Sequence, residues 1–167
     1  MSPLIVIMGV SGCGKTTIAN SLAERIGGHY LEGDSFHNAE NKAKMGQGIP
    51  LTDEDRWPWF DALIEAAKSD IDQGVAPVLS CSALKQAYRD YLFAPFDQNK
   101  LIYLHGSFEL IKKRMDERDH EYMTSDLLRS QFETLEEPIN GASVMTISIE
   151  ETPKTIVDFA VEWLKQN

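Results

Sequence analysis

The chain has 167 residues, 43% of them hydrophobic and 25% charged, which describes an ordinary soluble globular protein long enough for one well-buried core. A formal net charge of -10 argues against a general nucleic-acid binder, although it says nothing against a local positive pocket for a small anion. No positive charge precedes Lys15 and the apolar run at Leu4 is too short for a signal core or a membrane span, so a single cytoplasmic domain is expected.

Short apolar runs alternate with segments of helical period, the pattern of α/β architecture. The first run, Leu4 to Met8, predicts a strand that leads directly into GVSGCGKT. A helix-like stretch follows, with Ile18, Leu22 and Ile26 on one face. Gly9, Gly14, Lys15 and Thr16 fit G-x-x-x-x-G-K-[ST] in the strand-to-helix context that the motif requires. At average composition a chance match in a chain this long is on the order of 1 in 200. This is a P-loop: Gly9, Gly12 and Gly14 allow backbone angles closed to other residues, so that successive N–H groups converge on phosphate oxygens at a helix N-terminus. The candidate ATP cradle is Gly9, Val10, Ser11, Gly12, Cys13, Gly14, Lys15, Thr16 and Thr17. Lys15 would reach the β- and γ-phosphates and the Thr16 hydroxyl would ligate Mg²⁺. Cys13 and Cys81 have neither the number nor the spacing of a disulfide framework or a zinc site and are read as free thiols.

His29 to Leu31 predicts the second strand, after which residues 32–60 are dense in polar groups with few strand or helix signals. Asp34 stands at the strand's end, where a carboxylate can take the acceptor hydroxyl's proton, hold Mg²⁺ or simply cap a turn. His37, Lys42, Lys44 and Arg56 are weaker candidates, each of which could be a solvated surface residue. Trp57, Pro58 and Trp59 are expected to start and anchor the next helix. A third strand over Val78 to Cys81 precedes CSALKQAYRD, where Ser82 is a candidate N-cap and Lys85 and Arg89 lie four apart on one helix face. Like charges at that spacing repel unless an anion lies between them, and an acidic substrate would supply it.

Leu101 to Leu104 predicts the fourth strand. Beyond it Arg114 and Arg118 share a helical face, placed either to fold over the phosphates as a lid over residues 114–126 or to pair with Asp116, Glu117 or Asp119. Leu128, Phe132 and Leu135 at helical spacing read as core. The fifth strand is expected over Val144 to Ile149, and the last helix opens with Thr152 as cap and Pro153 at its first position. Repeated strand–helix order implies a parallel sheet with right-handed crossovers, whose ligands bind at the carboxyl ends of the strands. A guanine-specific switch protein would carry Asn-Lys-x-Asp, and Asn99-Lys100-Leu101-Ile102 lacks the aspartate, so a small-molecule kinase suits the chain better.

GVSGCGKT, EGD followed by His37, Lys44-Met45, Gly48-x-Pro50-Leu51, Asp53-x-Asp55-Arg56 with Pro58-Trp59, CSALK with Tyr88-Arg89-Asp90, and SQF followed by LEEP occur in the order found in gluconate kinases. Over nearly its whole length the chain resembles that family, which is similar to the shikimate and nucleoside monophosphate kinases. The resemblance implies a three-layer P-loop kinase fold with a five-stranded parallel sheet and a mobile lid, ATP-dependent phosphorylation of D-gluconate to 6-phospho-D-gluconate, Mg²⁺ dependence and a homodimer. Lys15, Asp34 and Arg118 become the candidate catalytic groups. Asp34, His37, Lys44, Arg56, Lys85 and Arg89 become the candidate substrate contacts, and Arg114 and Arg118 are added to the ATP site. Three positions depart from the family pattern: Asn38 where a proline is usual, Glu121 in place of a histidine, and Thr124, which can still cap the helix, in place of a helix-opening proline. Two rivals stand beside this reading: a kinase for another small hydroxy acid such as shikimate, and a nucleotide-responsive binding protein that keeps the fold without turnover.

Overall fold

The structure is a computed structural model and describes residues 1–118 and 124–167. Its first strand, β1 (Leu4–Met8), is buried at every position, as an uncharged run in the middle of a parallel sheet must be. Gly14 ends the following loop with φ 101°, and α1 (Lys15–Ile26) begins there and stops at Gly27, also left-handed at φ 68°. The chain continues through β2 (His29–Glu32), a 3₁₀ turn at Gly33–Phe36, α2 (Ala39–Gly46) and α3 (Asp53–Asp72). It then runs through β3 (Pro77–Ser80), α4 (Gln86–Phe93), β4 (Asn99–His105), α5 (Phe108–Arg118), α6 (Ser125–Thr134), β5 (Val144–Ser148) and α7 (Pro153–Gln166). All five expected strands form, with ends shifted by a residue or two.

The strands lie in the order β2-β3-β1-β4-β5 and every pairing is parallel. Alternate residues of β1 feed two hydrophobic layers: Ile5 and Ile7 pack with Ile18 and Leu22 of α1 and Ile156 and Val157 of α7, while Leu4, Val6 and Met8 pack with Phe60 and Leu63 of α3 and Leu92 of α4. The result is helix, sheet, helix, with the carboxyl ends of β1, β2 and β3 opening along one edge. Leu128, Phe132 and Leu135 pack into the core as expected, and Thr152 caps α7 with Pro153 at its start.

Four local expectations are corrected. Residues 32–60 contain α2 and the beginning of α3 rather than an irregular loop. Asn38 starts α2 by accepting a hydrogen bond from the Asn41 N–H at 2.8 Å, so the residue that departs from the family pattern is an N-cap. Helix α3 starts at Asp53, not at the Trp57–Trp59 stretch: Thr52 and Asp55 form a reciprocal capping box, and Pro58 is carried inside the helix. Ser82 does not cap α4, which begins at Gln86 after a turn through Ala83 to Lys85. Lys85 and Arg89 therefore do not share a helix face, since Lys85 is the residue before the helix.

The register of β2 and β3 pairs Glu32 with Ser80, and Gly33 follows at the point of closest approach. A Cβ on Gly33 would lie 2.1 Å from the Ser80 carbonyl oxygen, which is backbone and cannot swing aside. Gly33→Ala should therefore force β2 and β3 apart at their carboxyl ends and destabilise the fold by about 1–3 kcal/mol, read as a fall in the thermal midpoint. An unchanged midpoint would mean that the strand ends separate freely.

Candidate active site

Along the open edge lies a cavity of about 840 Å³. The P-loop forms its floor through Ser11, Gly12, Gly14, Lys15, Thr16 and Thr17. Gly12 has φ 83° and its missing Cβ would meet Met115 of α5, so both its conformation and its space demand glycine. Lys15 is folded over the loop, its Nζ donating to the Gly9 carbonyl at 2.9 Å and the Val10 carbonyl at 3.0 Å. Gly9 and Val10 thus position the lysine rather than line the cavity, and Cys13 is packed beneath the loop. Both cysteines are buried free thiols, and burial pushes Cys81 up to about 12, which leaves it protonated at neutral pH.

The second strand delivers two carboxylates. Glu32, at the end of β2, accepts hydrogen bonds from Thr16 Oγ1 at 3.0 Å, from Ser80 Oγ at 3.1 Å and from the Tyr30 hydroxyl. This residue was not singled out by the sequence reading, although its place next to the strand end, two residues before Asp34, was a signal. Asp34 sits on the 3₁₀ turn and faces the cavity. Its side chain is open on the cavity side, yet the protein wall behind it removes enough water to raise its pKa, an effect opposed by the Lys15 ammonium and reinforced by Glu32. A raised value brings a carboxylate nearer to the working range of a general base.

The far wall is cationic. Arg56 stacks over the Tyr88 ring at 5.1 Å and Lys85 lies over the same ring at 5.4 Å. Asp53 accepts from the Tyr88 hydroxyl at 2.5 Å and from Lys85 Nζ at 3.3 Å. Among the described residues the buried Nε of Arg56 has no hydrogen-bond partner. The Arg56 Nη2 donates to the Leu51 carbonyl at 3.4 Å, and the half-buried side chain lines the cavity beside Lys85, so this wall offers two cations to an anion. His37 is buried, stacked on Trp59 with ring centroids 4.1 Å apart, and Nδ1 accepts from the Asn41 amide at 3.3 Å, which leaves the proton on Nε2.

Arg118 also lines the cavity. Three other predicted residues do not. Arg114 donates to the Ile149 carbonyl at 2.8 Å and so ties α5 to the end of β5. Lys44 pairs with Asp55 at 2.8 Å, holding that carboxylate down at about 2. Arg89 is buried with its guanidinium turned onto backbone carbonyls. Each carries the charge expected of a ligand contact, and in this structure each is turned onto a protein acceptor instead of into the cavity. Gln131 of α6, by contrast, was overlooked: its Oε1 accepts from the Ser11 N–H at 2.7 Å and its Nε2 donates to Ser11 Oγ at 3.0 Å, pinning the P-loop tip. Thr124 caps α6 as expected, through a 3.1 Å bond from the Leu127 N–H. Glu121 and the middle of the expected lid lie outside the described residues.

The described residues contain no group of three or more His, Cys, Asp or Glu side chains that could hold a metal. Thr16 and Glu32 nevertheless bring two hard oxygen donors together beside the P-loop. Magnesium bound to a nucleotide usually takes one or two protein oxygens and completes its shell with phosphates and water, so these residues fit it.

The burial of His37 carries a pH consequence. Desolvation first, and then the charges of Arg56 and Lys42, lower its pKa from 6.5 to about 4. The unfolded chain takes up that proton near 6.5 while the folded chain resists it, so stability is full above pH 6.5 and falls as pH drops towards 4. Between pH 7 and pH 5 the loss attributable to His37 is about 2 kcal/mol. Urea unfolding of His37→Gln should lack this part of the wild-type decline, and equal declines in the two proteins would show that the ring titrates normally.

Comparison with known proteins agrees with this geometry. The family model for shikimate kinase matches residues 11–165. A probable gluconokinase of Rattus norvegicus is 37% identical, covering 97% of this chain and 97% of its own. The thermoresistant gluconokinase of Escherichia coli is 36% identical over 98% of this chain and 94% of its own. The crystal structure of a gluconokinase from Sinorhizobium meliloti superposes with a TM-score of 0.89 at 40% identity, covering 98% of this chain and 92% of that one. Likeness of this depth from one end of the chain to the other, on top of a P-loop cavity walled by cations, makes this chain a member of the gluconokinase family.

Proposed function

We propose that the protein transfers the γ-phosphoryl group of ATP to the 6-hydroxyl of D-gluconate, giving 6-phospho-D-gluconate and ADP. The observation that carries the choice of an acid substrate is the far wall, where Arg56 and Lys85 line the cavity together over the Tyr88 ring. Membership of the gluconokinase family supports the same substrate. A neutral sugar would bring no anion to Arg56 and nothing to draw Lys85 from Asp53.

In this reading the P-loop N–H groups and Lys15 hold the nucleotide phosphates, and Lys15 leaves its carbonyl partners to do so. Asp34, with its raised pKa, accepts the proton of the attacking hydroxyl. His37, held neutral, offers its Nε2–H as a donor to a substrate hydroxyl. Arg56 and Lys85 take the carboxylate at the opposite end, which fixes which hydroxyl faces the phosphate. Lys85 must exchange the Asp53 carboxylate for that of the substrate, an ion-pair swap that costs little because one charge partner replaces another. Arg118 reaches the cavity from α5 and is placed to neutralise phosphoryl charge. Thr16 and Glu32 would hold Mg²⁺, which supplies neutralisation of the β- and γ-phosphate oxygens when bound. A homodimer belongs to the same proposal and rests on the family resemblance. Among the described residues no helix is long and apolar enough to cross a membrane.

The match to the shikimate kinase model keeps one alternative in play, a different hydroxy acid as acceptor. An ADP-release assay over gluconate, shikimate and glucose separates the readings: turnover should be high with gluconate and low with the other two. Asp34→Asn should lower the rate by about 10²–10⁴ with ATP affinity little changed, and a collapse of ATP affinity would instead assign Asp34 to the metal. Arg56→Ala and Lys85→Ala should each weaken gluconate use roughly 10- to 150-fold while sparing ATP binding. Wild-type gluconate kinetics in both variants, or glucose serving as well as gluconate, would overturn the acid-pocket assignment.

A further inference from the structure

The turn between β3 and α4 holds a strain that substrate binding does not explain. Ala83 is buried with φ 45°, and among the described residues it is the only non-glycine with positive φ. Such a conformation persists only where its surroundings over-determine it. Here the surroundings are the guanidinium of Arg89. Its Nη1 donates to the carbonyls of Ala83 at 2.8 Å and Leu84 at 3.1 Å. Its Nη2 donates to the carbonyl of Glu136 at 2.8 Å and to Gln86 Oε1 at 3.2 Å. Glu136, in the segment after α6, closes the circuit: its N–H donates to the Leu84 carbonyl at 2.8 Å, and its Oε1 accepts from the Gln86 N–H at 3.2 Å.

Lys85 follows this turn directly, and its ammonium lies on the cavity wall. The direction in which Lys85 leaves the turn is set by the ψ of Leu84 and the φ of Ala83, and both flanking carbonyls are held by one nitrogen of Arg89. We propose that Arg89 is a positioning residue for the acid-binding half of the cavity: it holds the left-handed turn at Ala83 and so aims Lys85, without touching substrate itself. The inference rests on the reading of Lys85 as an anion contact. A planar fork is needed for the task, because a lysine at this position is a point donor that cannot span the carbonyls of Ala83, Leu84 and Glu136 together. Glycine at position 83, by contrast, would adopt φ 45° without steric cost and would need less holding.

The test compares wild type with Arg89→Lys and with Arg89→Lys combined with Ala83→Gly, by steady-state kinetics and by amide hydrogen exchange of Gln86 and Glu136. Arg89→Lys should raise KM for gluconate about tenfold while KM for ATP stays within about twofold. Exchange at the Gln86 and Glu136 amides should quicken in the same variant. Ala83→Gly should restore part of both properties, an outcome that neither a direct substrate contact nor general loss of stability produces. Unchanged gluconate KM in Arg89→Lys overturns the proposal, as does a loss that Ala83→Gly leaves untouched, or an equal rise in KM for both substrates. Should Arg89→Lys alone not fold, the double variant has to recover the fold for the proposal to stand. If wild type does not phosphorylate gluconate, the proposed function fails, and exchange at Gln86 and Glu136 still decides whether Arg89 holds the turn.

Discussion

The carboxylate of Glu32 accepts hydrogen bonds from the strand beside it through Ser80, from its own strand through Tyr30, and from the first turn of α1 through Thr16. Register decides that these groups meet, because β2 pairs with β3 so that Glu32 faces Ser80, and β3 pairs with β1 so that Ser80 faces Ile7 at the entrance to the P-loop. A one-residue slip of β2 would turn Glu32 to the other face of the sheet and break all three contacts. The position of Asp34 depends on the same register, since only Gly33 separates the two carboxylates and Gly33 is pressed against the Ser80 carbonyl. Much of the cavity floor therefore follows from the alignment of three parallel strands.

Charge is distributed against the average of the molecule. The chain carries a formal net charge of -10, yet Lys15, Arg56, Lys85 and Arg118 all line one concave surface. Low-dielectric walls make these cations effective towards a small anion, and the acidic exterior does not cancel them at short range. The acidic groups inside the cavity are not simple neutralisers either. Asp53 holds Lys85 and Tyr88 in place, while desolvation raises the pKa of Asp34 against the opposing charge of Lys15.

Residues of the same chemical type meet opposite fates in this fold. Arg56 is half-buried and lines the cavity wall over the Tyr88 ring, whereas Arg89 is buried with its nitrogens turned onto carbonyls and an amide. Arg118 reaches the cavity and Arg114, one turn earlier on α5, reaches the end of β5. Spacing of four on a helix puts two side chains on one face but does not say what lies opposite each. In α5 the answer changes over a single turn, because the helix passes from the end of the sheet to the mouth of the cavity.

Local chemistry was enough to read the strands, the P-loop, the Thr152 and Thr124 caps and the class of reaction, since each depends on residues close together in the chain. An apolar run without charges can only be a buried strand or helix segment, and a glycine-rich turn between strand and helix with Lys15 and Thr16 has few uses other than holding phosphates. The start of α3 was also written locally, in the capping box of Thr52 and Asp55, although Pro58 drew attention to a later point. Tertiary structure alone decided which polar side chains share the cavity. Glu32 and Ser80 are separated by 48 residues, Ser11 and Gln131 by 120, and Arg89 and Glu136 by 47. Contacts of that range depend on strand order and helix packing, and their acceptors are often backbone carbonyls that every residue carries. A sequence can declare a donor, but it cannot say which carbonyl the fold will bring to meet it.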